Sequence, residues 1–556
     1  MPHVFTGFVE RRTAMVEAGH WRDLTLLDHL ERQRRDNAEK PAFVCYPPGR
    51  DDATSLTLSE LDAVSTQLAN ALLQLGVTRG DVVSMQLPNV WQAAAIQLAC
   101  LKIGAITNPL MPILRERELR FILRQARTRV LVVMREFRGF DYLAMAEGLK
   151  AEAPDLRAIV DIGYGGDDGF ERLLAAGGTS REMSPAARPA DPDDVAQLLF
   201  TSGTTGEPKG VMHSSNTMLS NLIPFAARLG LSGADVVHMP SPIGHQLGFM
   251  YGLVMPVMLG ATSVLQGVFD PAQMARQIIA HSVSFTMAAP PFLTEFVRHV
   301  EAEGVPMESL RIFVSAGAPV PRSLVARSRE VLGASVISGW GMSENGAVSI
   351  TCPDDSIEHV TNTDGCALPG MELLVRREDG SPARADEPGR LFVRGCSNFL
   401  GYFARPDLPA LDDDGWFDTG DLARMDAAGY IRITGRAKDL VIRGGENIPV
   451  VEIEDLISQH DAVRAVAIVP VAHERLGEQA FAFVVLAPGA RFDLAAMRDH
   501  LRGAGAATHY FPEHLKAVDG LPVTASGKVQ KFVLREWARA DLERRAQTSQ
   551  LKEAKS

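Results

Sequence analysis

The chain contains 556 residues, of which 46% are hydrophobic, so its length and composition allow more than one buried core. Its formal net charge of -12 argues against general nucleic-acid binding, because no basic excess is available to neutralise phosphates. The five cysteines are scattered, which disfavours a disulfide framework or a zinc site and predicts a reducing, cytoplasmic location.

Apolar and amphipathic stretches alternate along most of the chain, after a charged segment, 1–23, that lacks the apolar block of a secretory signal. A helix is predicted over Leu58–Leu75. The predicted strands are the apolar runs 82–87, 129–134, 195–200, 283–289 and 311–317. Strands that alternate with helices predict an α/β fold with largely buried sheets.

The loop 200-FTSGTTGEPKG-210 follows one of these strands and is dense in hydrogen-bond donors. Its glycines would let backbone N–H groups converge on an anion, its hydroxyl groups would donate further, and Lys209 would add a positive charge. In a Walker loop Gly, Lys and Ser or Thr are consecutive, whereas Glu207 and Pro208 precede Lys209 here. The VMH that follows predicts a second strand, so the loop is expected to join two strands. A flexible turn is the alternative.

The segment 247–265 contains no charged residue and approaches the length of a membrane span. Three glycines, a central proline and a polar end favour instead a buried helix that continues into a core strand. His245 precedes this helix and is a candidate pocket residue, with a core histidine as the alternative.

Two motifs with small, aromatic or acidic residues follow predicted strands. The small residues of 315-SAGAPV-320 would let a flat ring approach the backbone closely. In 338-SGWGMSENG-346, Trp340 offers an aromatic face, Ser343 a hydroxyl group, and Glu344 carboxylate oxygens of the kind that Mg²⁺ prefers.

The turn 415-GWFDTGDLA-423 carries Asp418 and Asp421 between glycines. An ionised carboxylate there can accept charge-assisted hydrogen bonds from two sugar hydroxyls, and capping of the loop is the alternative. Arg436 and Lys438 follow shortly afterwards.

A second, smaller domain is predicted beyond residue 436, because a Gly- and Asp-rich stretch precedes this point and regular elements resume after it. A helix from Pro449, two strands and a helix over 494–502 form a unit large enough for its own core. The predicted division is a large domain at 1–436, a small domain at 437–545 and a polar, disordered tail at 546–556.

Five motifs in this order resemble those of the adenylate-forming superfamily, which comprises acyl-CoA synthetases, luciferases and the adenylation domains of peptide synthetases. The matching segments are 201–210, 315–320, 338–346, 415–423 and 521-LPVTASGKVQK-531. The likeness extends from about Leu198 to Lys531. It implies an α/β fold with a large N-terminal domain of several sheets and a small, mobile C-terminal α+β domain.

The resemblance also implies roles for individual residues. It assigns nucleotide binding to Thr201, Ser202, Gly203, Thr204, Thr205, Gly206, Lys209, Gly317, Ala318, Pro319, Gly339, Trp340, Gly341, Asp421, Arg436 and Lys528. The implied catalytic residues are Lys528, Glu344 and Ser343, with Glu344 supporting magnesium, and Lys438 is the implied hinge. It assigns the acyl pocket or thiol tunnel to Gly244, His245, Ala316, Asn345, Gly444, Gly445 and Glu446.

The implied reaction has two half-reactions. In the first, a carboxylate attacks the α-phosphorus of Mg·ATP to give acyl-AMP and pyrophosphate, while Lys528 bridges substrate carboxylate and phosphate oxygens. In the second, a thiol attacks the acyl carbon and releases AMP. Rotation about Lys438 would first withdraw Lys528 and bring 444-GGEN-447 toward the site.

The resemblance also bears on the acid. Amino-acid-activating relatives place an Asp for the substrate amine at the position of His245, so an amino-acid substrate is disfavoured. The run 341-GMSENG-346 resembles synthetases for cyclic or medium-chain acids, with cyclohexanecarboxylate-CoA ligases as the nearest group. Several candidate pocket residues are small or apolar, which favours an apolar acyl group.

Coenzyme A is the expected thiol, and the thiol of a carrier protein is the alternative. Fatty acyl-AMP ligases that load carriers tend to have an insertion near the end of the large domain, and none is evident between Tyr402 and Arg436. A luciferase-type monooxygenase, a fatty-acid transport protein and a non-catalytic nucleotide-binding protein are further alternatives. The expected partners are therefore a small carboxylic acid, ATP and coenzyme A, without nucleic acid or stable membrane insertion. The choice between monomer and homodimer stays open.

Overall fold

The structure is a computed structural model that describes residues 7–47, 52–163, 168–178, 182–201, 208–318, 320–408, 411–443, 446–473, 475–524 and 528–553. The strands are β1 Pro41–Tyr46, β2 Thr54–Thr57, β3 Val82–Gln86, β4 Ile106–Leu110, β5 Thr128–Met134, β6 Glu136–Phe137, β7 Phe140–Asp141, β8 Ala158–Ile162, β9 Val195–Thr201, β10 Lys209–Ser214, β11 Val236–Met239, β12 Thr262–Gln266, β13 Phe285–Ala288, β14 Ile312–Ser315, β15 Ser335–Met342, β16 Gly346–Ile350, β17 Cys366–Ala367, β18 Met371–Arg376, β19 Gly389–Gly395, β20 Phe417–Met425, β21 Ile431–Arg436, β22 Val441–Arg443, β23 Glu446–Ile448, β24 Val463–His473, β25 Gly477–Leu486 and β26 His514–Ala517.

The α-helices are α1 Phe8–Glu17, α2 Leu26–Asn37, α3 Leu58–Gln74, α4 Gln92–Ile103, α5 Glu116–Gln125, α6 Tyr142–Leu149, α7 Gly169–Ala176, α8 Ser215–Arg228, α9 Gln246–Phe249, α10 Met255–Leu259, α11 Pro271–Ala280, α12 Pro290–Glu303, α13 Arg322–Leu332, α14 Ile357–Asn362, α15 Val450–Ser458, α16 Leu494–Gly503 and α17 Lys531–Glu553. Short 3₁₀ turns lie at Lys150–Glu152, Ala437–Asp439 and Thr508–Tyr510, and a π-helical turn lies at Met250–Val254.

Within the described residues, the large domain contains three large sheets and the two-stranded sheet β6-β7. One has nine strands in the order β17-β16-β15-β14-β13-β11-β12-β1-β2, and a second has six in the order β10-β9-β4-β3-β5-β8. The third has four antiparallel strands in the order β18-β19-β20-β21. The central pairs of the first two sheets are parallel, and their strands are buried on both faces, which explains their continuous apolar sequences. The predicted α/β class with several sheets in the large domain is confirmed.

The uncharged stretch 247–265 folds as α9, the π-helical turn, α10 and β12. Every residue from Gln246 to Met258 is buried. The predicted sequence of a buried helix followed by a core strand is confirmed. None of the described helices combines the length and the apolar character needed to cross a bilayer.

The small domain has its own sheet, β22–β26, with a hydrophobic cluster on each face. One cluster contains residues of α15 and α16, and the other contains Leu534 and Ala538 of α17. α17 extends to Glu553, so the tail boundary predicted at 546 falls inside a helix. The stretch that was expected to be disordered contains Ala, Gln, Leu, Lys and Glu, which all favour helices.

An ion pair connects the two domains. The backbone N–H of Arg322, the first residue of α13, donates to Oδ1 of Asp455 in α15 at 3.3 Å. The Arg322 Nε also lies 3.8 Å from Oδ2 of the same carboxylate. This contact fixes α15 against the start of α13.

Candidate active site

The candidate phosphate loop is held between two antiparallel strands. Thr201 ends β9, Lys209 begins β10, and the two residues face each other in the register. The prediction that the loop joins two strands is therefore confirmed. The intervening candidates Ser202, Gly203, Thr204, Thr205 and Gly206 lie outside the described residues.

The hairpin of β15 and β16 carries the next group of candidates. A Cβ atom on Gly339 would lie 2.9 Å from Cγ2 of Ile350, and one on Gly341 would overlap the carbonyl oxygen of Gly346. Both glycines thus permit the close pairing of the two strands. The turn between the strands is closed by Asn345, which is fully buried and whose Oδ1 accepts a hydrogen bond from the Met342 N–H at 3.1 Å.

Three side chains form a hydrogen-bonded set at the candidate ribose position. Asp421 and Arg436 are direct partners across β20 and β21, and Nε of Arg436 lies 2.7 Å from Oδ1 of Asp421. The indole N–H of Trp340 donates to Oδ2 of Asp421 at 2.9 Å. Trp340 is 9% exposed and Asp421 is 3% exposed, so the bond between these two side chains is largely shielded from water. By contrast, Asp418 pairs with Arg390 at 2.7 Å on the surface.

The carboxylate of Glu344 interacts with the phenol of Tyr402 and with the positive charges of Arg436 and Lys209. Burial raises the pKa of its carboxyl group, while a hydrogen bond from Tyr402 and the charges of Arg436 and Lys209 act in the opposite direction. The Tyr402 hydroxyl donates to Oε1 of Glu344 at 2.9 Å, and Nζ of Lys209 lies 5.3 Å from the centre of the Tyr402 ring. The structure therefore brings Lys209, Glu344 and Arg436 together around a residue that sequence reasoning missed.

The carboxylate of Glu344 fits a magnesium site. Mg²⁺ in nucleotide sites is usually held by one or two carboxylates together with phosphate oxygens and water. Among the described residues, no group of three or more His, Cys, Asp or Glu side chains could hold a metal ion alone. A single buried carboxylate with cationic neighbours for phosphate is consistent with an ion that arrives with the nucleotide.

The candidate adenine segment follows β14. Gly317 adopts a positive φ of +91°, and a Cβ atom there would meet nothing within 4 Å. Ala316, which precedes it, is buried, and Ala318 is partly exposed. The backbone at Gly317 therefore borders open space into which a flat ring could enter. Pro319 lies outside the described residues.

His245 and Gly244 lie at the start of the buried helical stretch. A Cβ atom on Gly244 would lie 2.7 Å from the carbonyl oxygen of Leu110, so this glycine permits close contact with the end of β4. Nδ1 of His245 accepts from the N–H of Leu247 at 3.3 Å and caps α9. Burial, and secondarily the positive charge of Lys528, lower the pKa of His245 to about 4.

Lys528 thus approaches the large domain from a short loop of the small domain. The Thr524 N–H donates to the Lys528 carbonyl at 2.7 Å, and the Lys528 N–H donates to Oγ1 of Thr524 at 3.0 Å. These bonds tie the two ends of the loop together. The positive charge of Lys528 contributes to the lowered pKa of His245, so the candidate catalytic lysine acts electrostatically on a candidate residue of the acyl pocket.

The remaining candidates follow β21. Lys438 belongs to the 3₁₀ turn Ala437–Asp439 between the domains, but its side chain lies outside the described part. Gly444 and Gly445 are also outside it, and Glu446 is described only as the first residue of β23. These residues are not brought to the site by any described contact.

Two further residues support the site and carry no local sequence signal for that role. His213 places Nε2 2.8 Å from the carbonyl oxygen of Ser343 and Nδ1 3.1 Å from Oγ1 of Thr217. The guanidinium group of Arg11, in α1, donates to the carbonyl oxygens of Gly395, Cys396, Asn398 and Phe399. Arg11 therefore stabilises the segment 395–399, which precedes Tyr402 in the chain.

Comparisons with known proteins agree with this geometry. The sequence model described as AMP-binding enzyme matches residues 30–403, and that of the AMP-binding enzyme C-terminal domain matches residues 452–528. The medium-chain fatty-acid–CoA ligase of Escherichia coli (strain K12) is 35% identical over 95% of this chain and 93% of the relative. The salicyl-AMP ligase / salicyl-S-ArCP synthetase of Mycobacterium tuberculosis is 35% identical over 94% and 93% of the two chains. The crystal structure of the anthranilate CoA ligase AuaEII in complex with anthranoyl-AMP superimposes with a TM-score of 0.84 at 27% identity, covering 94% of this chain and 98% of that one.

Proposed function

The chain belongs to the AMP-binding enzyme family, and from this premise we propose that it is an ATP-dependent ligase that joins an apolar carboxylic acid, cyclic or medium-chain, to coenzyme A. The observation that carries the proposal is the hydrogen-bonded set of Trp340, Asp421 and Arg436, because it offers a nucleotide an aromatic face, a carboxylate for ribose hydroxyls and a positive charge in one place. The intermediate is an acyl-AMP, and the products are acyl-CoA, AMP and pyrophosphate.

The nucleotide would occupy the cluster around Asp421. The adenine ring would lie against Gly317 and Trp340, and the ribose hydroxyls would donate to the Asp421 carboxylate. Arg436 orients this carboxylate through its 2.7 Å contact. Lys209 would attract the phosphates by its positive charge.

Glu344 would hold Mg²⁺ together with the phosphate oxygens. When bound, this ion would neutralise triphosphate charge and so lower the repulsion that an incoming carboxylate meets. At a separation of about 4 Å and an effective dielectric constant near 20, that repulsion is about 4 kcal/mol for each pair of unit charges. The Tyr402 hydrogen bond supports this role, because it orients the Glu344 carboxylate in advance.

In the first half-reaction, Lys528 would contact both the substrate carboxylate and the α-phosphate. One oxygen of the carboxylate forms a bond to the α-phosphorus, and the bond from that phosphorus to the pyrophosphate oxygen breaks. The ammonium group of Lys528 stabilises the charge that develops on these oxygens. Because burial and Lys528 lower its pKa to about 4, His245 stays neutral near pH 7 and adds no second positive charge.

In the second half-reaction, a thiolate would attack the acyl carbon and AMP would leave with the electron pair of the acyl–oxygen bond. Lys528 is not needed for this step, and rotation of the small domain at Lys438 would remove it. The ion pair between Arg322 and Asp455 supports a first-step arrangement as the state described here, since it holds α15 against the large domain.

An apolar acid is favoured by the pocket candidates and by the relative that acts on medium-chain fatty acids. His245 cannot provide the negative charge that binds a substrate amine, which argues against amino acids. Cyclohexanecarboxylate is the specific candidate that the run GMSENG suggests.

A carrier-protein thiol is the second candidate acceptor. One relative of equal identity is named a salicyl-AMP ligase / salicyl-S-ArCP synthetase, whereas another is named a fatty-acid–CoA ligase, so both acceptors are retained as candidates. We propose a cytoplasmic location as well, with which the five free cysteines are compatible.

The deciding experiment is a panel of cyclic, straight-chain and aromatic acids assayed by pyrophosphate release, with and without coenzyme A. AMP and acyl-CoA formation that peaks with cyclic or medium-chain acids is the expected result. Conversion of ATP to ADP, or absence of acyl-AMP with every acid, would overturn the proposal. Acyl-AMP formation without any use of coenzyme A would favour the carrier-protein alternative.

A further inference from the structure

The geometry points to Tyr402 as a positioning residue: we propose that its side chain holds the Glu344 carboxylate and the Lys209 ammonium group in the arrangement that Mg·ATP requires. This inference rests on the proposed function, because it assigns a role within the same nucleotide site. Its central observation is that one side chain contacts two groups of opposite charge on different strands and turns.

The two contacts of Tyr402 use different parts of its side chain. The hydroxyl donates to Oε1 of Glu344 at 2.9 Å, and the ring lies 5.3 Å from Nζ of Lys209. A hydrogen bond restricts rotation of the carboxylate, while an aromatic ring attracts a cation without restricting its hydrogen bonds. The hydroxyl and the ring can therefore be tested separately.

The backbone around Tyr402 is fixed to the strand that carries Lys209. Tyr402 forms an antiparallel bridge with Val211 in β10, and the N–H of Phe403 donates to the carbonyl of Gly210 at 2.7 Å. The distance between Lys209 and Tyr402 is thus set by backbone pairing.

The same segment is fixed to the turn that carries Glu344. The N–H of Phe399 donates to the Glu344 carbonyl at 2.7 Å, and the Phe399 ring packs edge-on against the Tyr402 ring at 4.8 Å between centroids. Arg11 further donates to the Phe399 carbonyl at 3.1 Å. Tyr402 therefore sits on a short rigid segment that joins the phosphate side of the site to its carboxylate side.

The Glu344 carboxylate depends on the Tyr402 hydrogen bond because it is buried. Glu344 is only 8% exposed, so little water is available to replace a lost donor. A buried carboxylate without its donor would turn toward the nearest positive charge, and Lys209 and Arg436 are the nearby cations. Such a turn would withdraw the carboxylate from the metal and occupy a cation that the phosphates need.

The test measures binding of α,β-methylene-ATP, an analogue that cannot be adenylated, with and without Mg²⁺, by calorimetry or tryptophan fluorescence. Tyr402→Phe keeps the ring but removes the hydroxyl, so we expect about 10-fold weaker binding with Mg²⁺ and a smaller loss without it. Tyr402→Leu also removes the ring and should weaken binding under both conditions. Tyr430→Phe is the matched control, because the Tyr430 hydroxyl makes a similar 2.7 Å bond to Asp355 outside the site.

Equal losses for Tyr402→Phe with and without Mg²⁺, or no loss in either case, would overturn the inference. Binding of the unreactive analogue is measured without catalysis. Failure of the proposed function would instead appear as absence of acyl-AMP from the wild-type chain, so the two failures are distinguishable.

Discussion

The indole Nε1 of Trp340 donates a hydrogen bond to Oδ2 of Asp421 at 2.9 Å, across 81 positions of sequence. The bond joins the residue proposed for adenine to the residue proposed for ribose. Arg436 engages the other oxygen of the same carboxylate, so the orientation of Asp421 is set from two sides before a nucleotide arrives.

Trp340→Phe should therefore weaken ATP binding even though the aromatic face remains. A hydrogen bond to a charged group contributes about 1.5–3 kcal/mol, which corresponds to about 10-fold or more in an equilibrium constant. We expect KM for ATP to rise about 10-fold while kcat changes less, as measured by pyrophosphate release. Trp416→Phe is the control, since Trp416 stacks with Arg394 at the surface. An unchanged KM in Trp340→Phe would contradict the role given to this bond.

Lys528→Ala should separate the two half-reactions. Loss of one charge-stabilising group in a closed site typically lowers the rate by about 10²- to 10³-fold. We expect that loss in acyl-AMP formation, with thioester formation from synthetic acyl-AMP largely retained. Lys516→Ala, which removes a lysine paired with Asp541 elsewhere in the small domain, is the control. Equal loss in both half-reactions would reject the assignment of Lys528 to the first step.

The contact between Arg322 and Asp455 should favour acyl-AMP formation. Because Arg322 is partly exposed, the ion pair contributes at most about 1 kcal/mol, or about fivefold in a ratio of states. Asp455→Ala should lower the rate of acyl-AMP formation by about two- to fivefold relative to thioester formation. Glu301→Ala, which breaks a surface ion pair with Arg327, should leave the ratio unchanged. A rise in the relative rate of acyl-AMP formation would refute this account.

Two buried histidines should make the large domain sensitive to acid. Burial lowers the pKa of His213 and of His238 to about 4. In the unfolded chain a histidine has a pKa of about 6.5. Between pH 6.5 and pH 4 the unfolded chain therefore binds more protons than the folded chain, and the free energy of unfolding falls as pH decreases. Each histidine should remove about 2 kcal/mol of stability between pH 7 and pH 5.

The check is the melting temperature of wild type and His238→Leu at both pH values. The variant should lose less stability than wild type on acidification, whatever its stability at pH 7. His299→Leu, on α12 at a partly exposed position, is the control. An identical decrease in wild type and His238→Leu would show that His238 does not contribute.

The class of fold and the residues proposed to bind the nucleotide could be selected from the sequence because they are encoded locally. Asp421 and Arg436 lie in separate short motifs, and antiparallel pairing of β20 with β21 makes them direct partners. The buried stretch after His245 was predicted correctly because glycine, proline and a polar end distinguish it from a membrane span.

The orientation of single residues was less accessible. Gly244, Gly339 and Gly341 were selected for the pocket and the nucleotide site, but the side of the backbone where a Cβ atom would stand faces neighbouring strands and turns. The presence of a glycine in the sequence does not indicate which side of its backbone is close to other residues. Asn345 likewise uses Oδ1 to close its own turn.

Tyr402 was not among the residues selected from the sequence, because its partner, Glu344, lies 58 positions away. No periodicity or motif in either segment indicates that Tyr402 contacts Glu344. It becomes visible only when the segment of Tyr402 is paired with β10, which is a tertiary arrangement.

The π-helical turn at Met250–Val254 makes the length of this region as important as its composition. Tyr251 lies in the turn, and its hydroxyl both donates to Oδ1 of Asn221 at 2.8 Å and accepts from the N–H of Ala347 at 2.9 Å. The i→i+5 winding of a π-helical turn accommodates one residue more than an α-helical turn does. Loss of one residue here would restore ordinary winding and draw the Tyr251 hydroxyl away from Asn221 and Ala347, so the link between this helical stretch, α8 and β16 depends on the number of residues in the turn.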